Sequence, residues 1–218
     1  MNSTETPAES LVLAYLSMRK AIGVLGVALP FVMLLGGLIL FGTGIQGSIS
    51  RYDYTGMRDV LVGILCAIGV FLLSYKGHDW RDNWAGNLTC LCAVCLAVIP
   101  TAPAGEATAL QQTLGTVHLV AAALFFLTLA YFSLCLFTKT HLDQAPTPKK
   151  LQRNRIYRIC GFTILGTLLV MANLSLLPGQ IEEDLKALHA IYWLESLAVV
   201  AFGVSWLVKG QAILRDGK

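Results

Sequence analysis

The chain has 218 residues, of which 56% are apolar and 13% charged, and a formal net charge of +3. That charged fraction is about half of what a soluble globular domain carries, which excludes an ordinary water-soluble fold. The small positive excess sits in the gaps between apolar runs, where membrane insertion accounts for it, so no nucleic-acid partner is implied.

Residues 1–20 read as a cytoplasmic N-terminal segment. Leu11, Val12, Leu13, Tyr15 and Leu16 give it enough apolar surface for a short helix lying on the inner membrane face. Six apolar runs follow, over residues 21–45, 57–75, 84–103, 113–137, 156–177 and 190–208. Each is near the ~20 residues that a helix needs to cross ~30 Å of hydrocarbon. The expected fold is therefore all-α, a six-transmembrane-helix bundle over 21–210 with a cytoplasmic tail at 211–218. The first run exceeds the 7–15 apolar residues of a secretory signal, so it reads as a retained span. Pro30 predicts a bend in it, and Gly23, Gly26, Gly36 and Gly37 predict close approach by neighbouring helices.

The gaps set the orientation. Arg19 and Lys20 precede the first run, Lys76 and Arg81 follow the second, six cations follow the fourth, and Lys209, Arg215 and Lys218 follow the last. Thirteen of sixteen cations thus share one side, and only Arg51, Arg58 and Lys186 fall on the other. By the positive-inside rule the crowded side is cytoplasmic and holds both termini.

Within the third run, Cys92 and Cys95 have Cys-x-x-Cys spacing, but Cys90 and Cys92 point ~200° apart on a helix, so small packing residues are the better reading. All six cysteines lie in or beside apolar runs and no disulfide framework is expected. The longest polar gap, 138–155, contains Pro146 and Pro148 and reads as a loop. At its end Lys149, Lys150, Arg153, Arg155 and Arg158 reach the inner headgroups, where contact with anionic lipid is expected.

Polar groups at membrane depth are costly and mark a cavity or pathway. They gather at the outer ends of the runs: Arg58 and Asp59 open the second, His118 lies one turn inside the fourth, Asn173 lies near the end of the fifth, and His189 and Glu195 belong to the sixth. Arg58, Asp59, His118, Asn173 and Glu195 are therefore expected to line one outer polar cavity. Arg58 is the expected partner of Glu195, since an unpaired carboxylate at that depth is unfavourable.

The segment 47–60, with Ser48, Ser50, Tyr54, Thr55, Gly56, Met57, Arg58 and Asp59, resembles the hallmark loop of a group of uncharacterised bacterial six-span integral membrane proteins. Its companions here are residues 69–77, 118–131 and 193–209. The resemblance implies a compact six-helix bundle in the bacterial plasma (inner) membrane, with that loop facing outward. A more distant likeness connects the chain to membrane hydrolases of the alkaline ceramidase type, which use a Ser, an Asp and three His around zinc. Ser48 or Ser50, Asp59, His118 and His189 would take those parts here, but the last run lacks a His-x-x-x-His pair.

Two functions follow. The first is binding or passage of a small molecule or lipid headgroup in the outer cavity, without a cofactor. The alternative is a zinc-dependent hydrolase of a lipid or amide, with Zn²⁺ on His118, His189 and Glu195 and Asp59 as general base.

Overall fold

A computed structural model describes residues 7–77, 79–139, 147–174 and 179–214. The described residues form helices joined by turns, with no strand among them. The helices are α1 (Pro7–Phe41), α2 (Arg58–Ser74), α3 (Trp80–Val98), α4 (Ala109–Tyr131), α5 (Pro148–Leu174), α6 (Gly179–Ala187) and α7 (Ala190–Lys209). A 3₁₀ turn at Ser50–Tyr54 precedes α2, and a π-helical turn at Phe132–Leu136 extends α4. Arg215 and Lys218 of the expected tail, Pro146 of the expected loop and the last residues of the fifth run lie outside the described residues.

Helix ends follow local chemistry more closely than they follow the apolar runs. Asp79 caps α3 by accepting the Arg81 and Asp82 amides at 2.9 and 3.3 Å, while Asp82 accepts the Asp79 amide at 3.4 Å. This reciprocal cap starts the helix at Trp80, four residues before the apolar run. Thr108 and Gln111 cap α4 in the same way. In α5, the hydroxyl of Thr147 accepts the Lys150 amide at 3.2 Å, and Pro148 occupies the first helical position, where its missing N–H costs nothing. Residues 149–155, expected in a loop, are accordingly helical.

The N-terminal expectation also changes. Residues 11–18 are helical, but as part of one uninterrupted 35-residue helix rather than as a separate surface element. Good helix formers run from Ala14 to Ile22 with no glycine or proline to break the chain. At 1.5 Å per residue α1 is about 52 Å long, well beyond a hydrocarbon core of about 30 Å. It continues through Pro30, whose carbonyl accepts the Tyr192 hydroxyl at 2.7 Å.

Among the described residues, four stretches are long and apolar enough to cross a membrane: Ser10–Phe41, Ala109–Leu136, Pro148–Leu174 and Ala190–Lys209. The remaining long helices, α2 with 17 residues and α3 with 19, pack in the same bundle. Neighbours run in chain order α1, α2, α3, α4, α5, α7, and α7 returns to α1, so the six long helices close a ring.

The seam between α1 and α7 is made by small residues. A methyl group on Gly203 would meet the Val27 nitrogen at 2.6 Å and the Gly23 carbonyl at 2.7 Å, so these two backbones touch directly. Around the outside, Leu119, Ile159, Phe162 and Leu169 are at least 64% exposed, while Ala85, Ala93, Ser133 and Ser205 are buried. Large apolar groups on the outward faces suit a lipid surround, while the interior mixes these small and polar residues with large ones such as Trp206, Phe132 and Met33.

The two ends of the ring differ. At the basic end, Tyr75, Phe132, Phe137 and Trp206 form a buried aromatic cluster with ring centroids 5.1–5.8 Å apart. The π-helical turn helps to build it, because Phe132 and Phe137 both reach Trp206, and the Ser133 hydroxyl donates to that of Ser205 at 3.1 Å. The Lys139 ammonium bridges Asp79 and Asp82 at 3.0 Å each, tying the α2–α3 turn to the residues after α4. The opposite end contains residues 42–57, the α3–α4 connection, α6 and the start of α7.

Candidate functional site

The opposite end is organised by a backbone plug. After α1 ends at Phe41 the chain runs through residues 42–47, and residues 48–57 make the 3₁₀ turn and lead into α2. Tyr52 is fully buried and lies 3.0 Å from where a Gly37 methyl would stand, with its ring 6.1 Å from that of Tyr192. The Tyr54 hydroxyl donates to the Thr101 carbonyl across the α3–α4 connection. Ser48 accepts the Arg51 amide at 3.1 Å and Thr55 accepts the Met57 amide at 3.1 Å, fixing both ends of the plug.

Glu195 is the tie between this plug and α7. Its Oε2 accepts the Ile49 amide at 2.7 Å, and the Ser50 amide is a second backbone donor to the carboxylate. Two amides opening a short helical turn have no partner within it, and a carboxylate satisfies both. The Arg58–Glu195 pair expected from the sequence does not form. Arg58 pairs instead with Asp53 at 3.1 Å and loosely with Asp59 at 3.9 Å, and its side chain is 55% exposed. Glu195 and Ser50 are the polar members of a narrow internal cavity of about 40 Å³, otherwise lined by groups such as Leu29, Leu65, Phe125 and Phe202. That volume holds water molecules but no larger ligand.

The other expected cavity residues disperse. Asp59 is 97% exposed at the start of α2, where the helix dipole favours it. Asn173 is exposed and its amide donates to the Leu169 carbonyl one turn back at 2.7 Å. His118 is buried, and Nδ1 donates to the Ile99 carbonyl at 2.6 Å, which fixes its tautomer and anchors the end of α3. The single cavity expected for Arg58, Asp59, His118, Asn173 and Glu195 is thus replaced by separate local contacts.

His189, Glu195 and His118 occupy different surroundings, and among the described residues no three His, Cys, Asp or Glu side chains are grouped to hold a metal. The donor set does not fit a zinc centre, so no hydrolytic step is derived through one. All six cysteines are free thiols, with Cys92 and Cys160 buried in the helix packing.

At this end, room for a ligand is found in a cleft of about 600 Å³ between the plug, the α3–α4 connection and the facing parts of α5, α6 and α7. Arg51, Lys186 and His189 contribute polar groups, and Met171, Leu174, Leu185 and Ile191 contribute apolar walls. No carboxylate is among its described lining residues. His189 takes a left-handed backbone (φ 53°) between α6 and α7, and its Nδ1 is buried without a hydrogen-bond partner. A non-glycine residue there is strained, and the strain places an imidazole at the mouth of α7. From the sequence, His189 is expected among the outer polar groups and in the metal set, while Arg51 and Lys186 are outside the expected cavity. The signal that pointed to them was present: they are two of the three cations outside the basic side.

No family model, no curated protein and no solved structure matches this chain.

Proposed function

We propose that the chain is a six-span membrane protein of the bacterial inner membrane with both termini cytoplasmic, and that it binds an anionic small molecule or lipid headgroup in the outer cleft. The observation that carries the reading is the pairing of Arg51, Lys186 and His189 with apolar walls in one 600 Å³ space. Two cationic side chains and an imidazole select an anion, and the walls accept an attached acyl or other apolar group. The ring of six long helices and the outward aliphatic surface support six spans, α2 and α3 being held between more apolar neighbours. The resemblance carried by residues 47–60 agrees, since that segment is the plug forming one wall of the cleft.

The test is titration of the reconstituted chain with lysophosphatidylglycerol and, separately, lysophosphatidylcholine. The anionic lipid is expected to bind more tightly, and Arg51→Gln or His189→Gln to weaken it about tenfold, the value of one charge-assisted hydrogen bond. Equal binding of the two lipids, or binding untouched by either substitution, would reject the cleft as the site.

A further inference from the structure

The basic end holds a second grouping of charge that the outer cleft does not explain. Arg19 of α1, Lys150 and Arg153 of α5 and Lys209 of α7 are all half-buried, whereas Lys149, Arg155 and Arg158 are exposed. Three of them gather around one aromatic floor, and Arg153 lies close enough to act on Lys209. Arg19 stacks over Tyr15 at 4.5 Å and Tyr75 at 5.4 Å, and Lys209 lies 5.0 Å over the Phe137 ring. Lys150 donates to the Phe137 carbonyl at 2.8 Å, so two ammonium groups meet at one residue. Arg19, Lys150 and Arg153 all act electrostatically on Lys209. At Gly210, just beyond Lys209, an added methyl would meet the Lys20 nitrogen at 3.0 Å and the Arg19 Cβ at 3.2 Å, so the end of α7 sits directly on α1.

Four like charges drawn from three helices repel one another, and repulsion strengthens as water is removed. Among the described residues, the carboxylate acting on Lys209 is that of Asp82, which the Lys139 ammonium already holds at 3.0 Å. Several donors beside the cluster are also unsatisfied: Arg19 Nε, the Tyr15 hydroxyl and, in the fully buried Trp206, the indole N–H. Buried donors without acceptors are unfavourable, and an anion with several oxygens would serve them together with the cations.

We propose that the basic end is a built phosphate site, in which Arg19, Lys150, Arg153 and Lys209 hold one phosphate group at the junction of α1, α5 and α7. The phosphate comes from an anionic phospholipid of the adjoining leaflet or from a soluble phosphate. Either source clamps the ring where its first and last long helices meet. This site is independent of the outer cleft, and its contacts differ from the diffuse attraction of exposed cations to a charged surface.

The test uses the full chain in nanodiscs of phosphatidylcholine alone, of phosphatidylcholine doped with phosphatidic acid, and of phosphatidylcholine with inorganic phosphate in the buffer. Thermal unfolding is read in each, and the measure is the rise over phosphatidylcholine alone, so a weakened variant still reports. A rise with phosphatidic acid only assigns the lipid source, and a rise with inorganic phosphate assigns the soluble one. Arg19→Gln and Lys209→Gln should each weaken the response, with about tenfold more phosphate or phosphatidic acid needed for half effect. Arg155→Gln and Arg158→Gln should leave it unchanged. No rise in either medium, or a rise reduced equally by the exposed-cation variants, overturns the proposal.

Discussion

Glu195 shows how a charge at depth is accommodated without an opposite charge. Its carboxylate caps the Ile49 and Ser50 amides, so its loss should act on the plug rather than on Arg58. Glu195→Ala is expected to destabilise the detergent-solubilised protein by ~1–3 kcal/mol for each amide left unpaired, and Glu195→Gln by less, since one oxygen remains. Combined with Arg58→Gln, the effect of Glu195→Gln should be additive to about 0.5 kcal/mol, because the two residues share no contact. Melting curves of the two single variants and the double variant measure this; a clear coupling would restore the direct pair. The location of Glu195 as the costly group was legible in the sequence, but its partner was not, because a backbone amide has no residue type to recognise. Asp79 gives a second residue-scale expectation. The hydrogen bond from Lys139 chiefly holds its carboxyl below the ordinary aspartate value, with the α3 amides adding to the effect. Burial opposes the charge on Lys139, but the hydrogen bonds to Asp79 and Asp82 outweigh it and hold the ammonium above the usual lysine value. The depressed Asp79 value stabilises the fold above about pH 3.8 and is lost as pH falls through the lower folded value. The raised Lys139 value contributes fully below about pH 10.5 and is lost as pH rises through the folded value. Asp79→Asn should therefore flatten the acid limb of a melting-temperature profile, and Lys139→Met should lower the plateau between the limbs and flatten both.

At the scale of elements, the apolar runs located six long helices and misplaced their ends. Hydropathy averages over a window, whereas ends are set by single residues such as Asp79, Thr108 and Thr147 that cap with one side-chain oxygen. The nine-residue α6 escaped notice because it is too short and polar to register as a run. The glycines of α1 were informative, since Gly23 does lie against α7, but which helix they would meet was not encoded locally. A packing test follows from the contrast among glycines. Gly203→Ala has no space between α1 and α7 and should destabilise by ~1–3 kcal/mol. Gly63→Ala in α2 and Gly166→Ala in α5 meet nothing within 4 Å and should be neutral or stabilising by up to about 1 kcal/mol. Thermal melts of the three variants decide it, and a well-tolerated Gly203→Ala would show that the α1–α7 seam is looser than described.

For the whole molecule, the alternation of cations and the ring of helices make one joint prediction about topology. Reporters inserted after residues 76 and 210 should be active on the cytoplasmic side, and one inserted near Gly105 on the other. If the residue 76 reporter were on the same side as the one near Gly105, α2 would not complete a crossing. Fold class was readable because the bilayer imposes length and charge rules on every span, and both are visible one run at a time. The sequence points to the end opposite the basic one as the place where polar groups gather, but which side chains meet there is not legible in it, because convergence depends on helix rotation and on the path of residues 42–57. Closure of the ring by α1 against α7 has a further consequence for biogenesis. Helix α1 leaves the ribosome well before its most intimate partner, α7, so its glycine face must stay uncommitted while the intervening segments insert. Until α7 arrives the ring is an open arc with that flank of α1 uncovered.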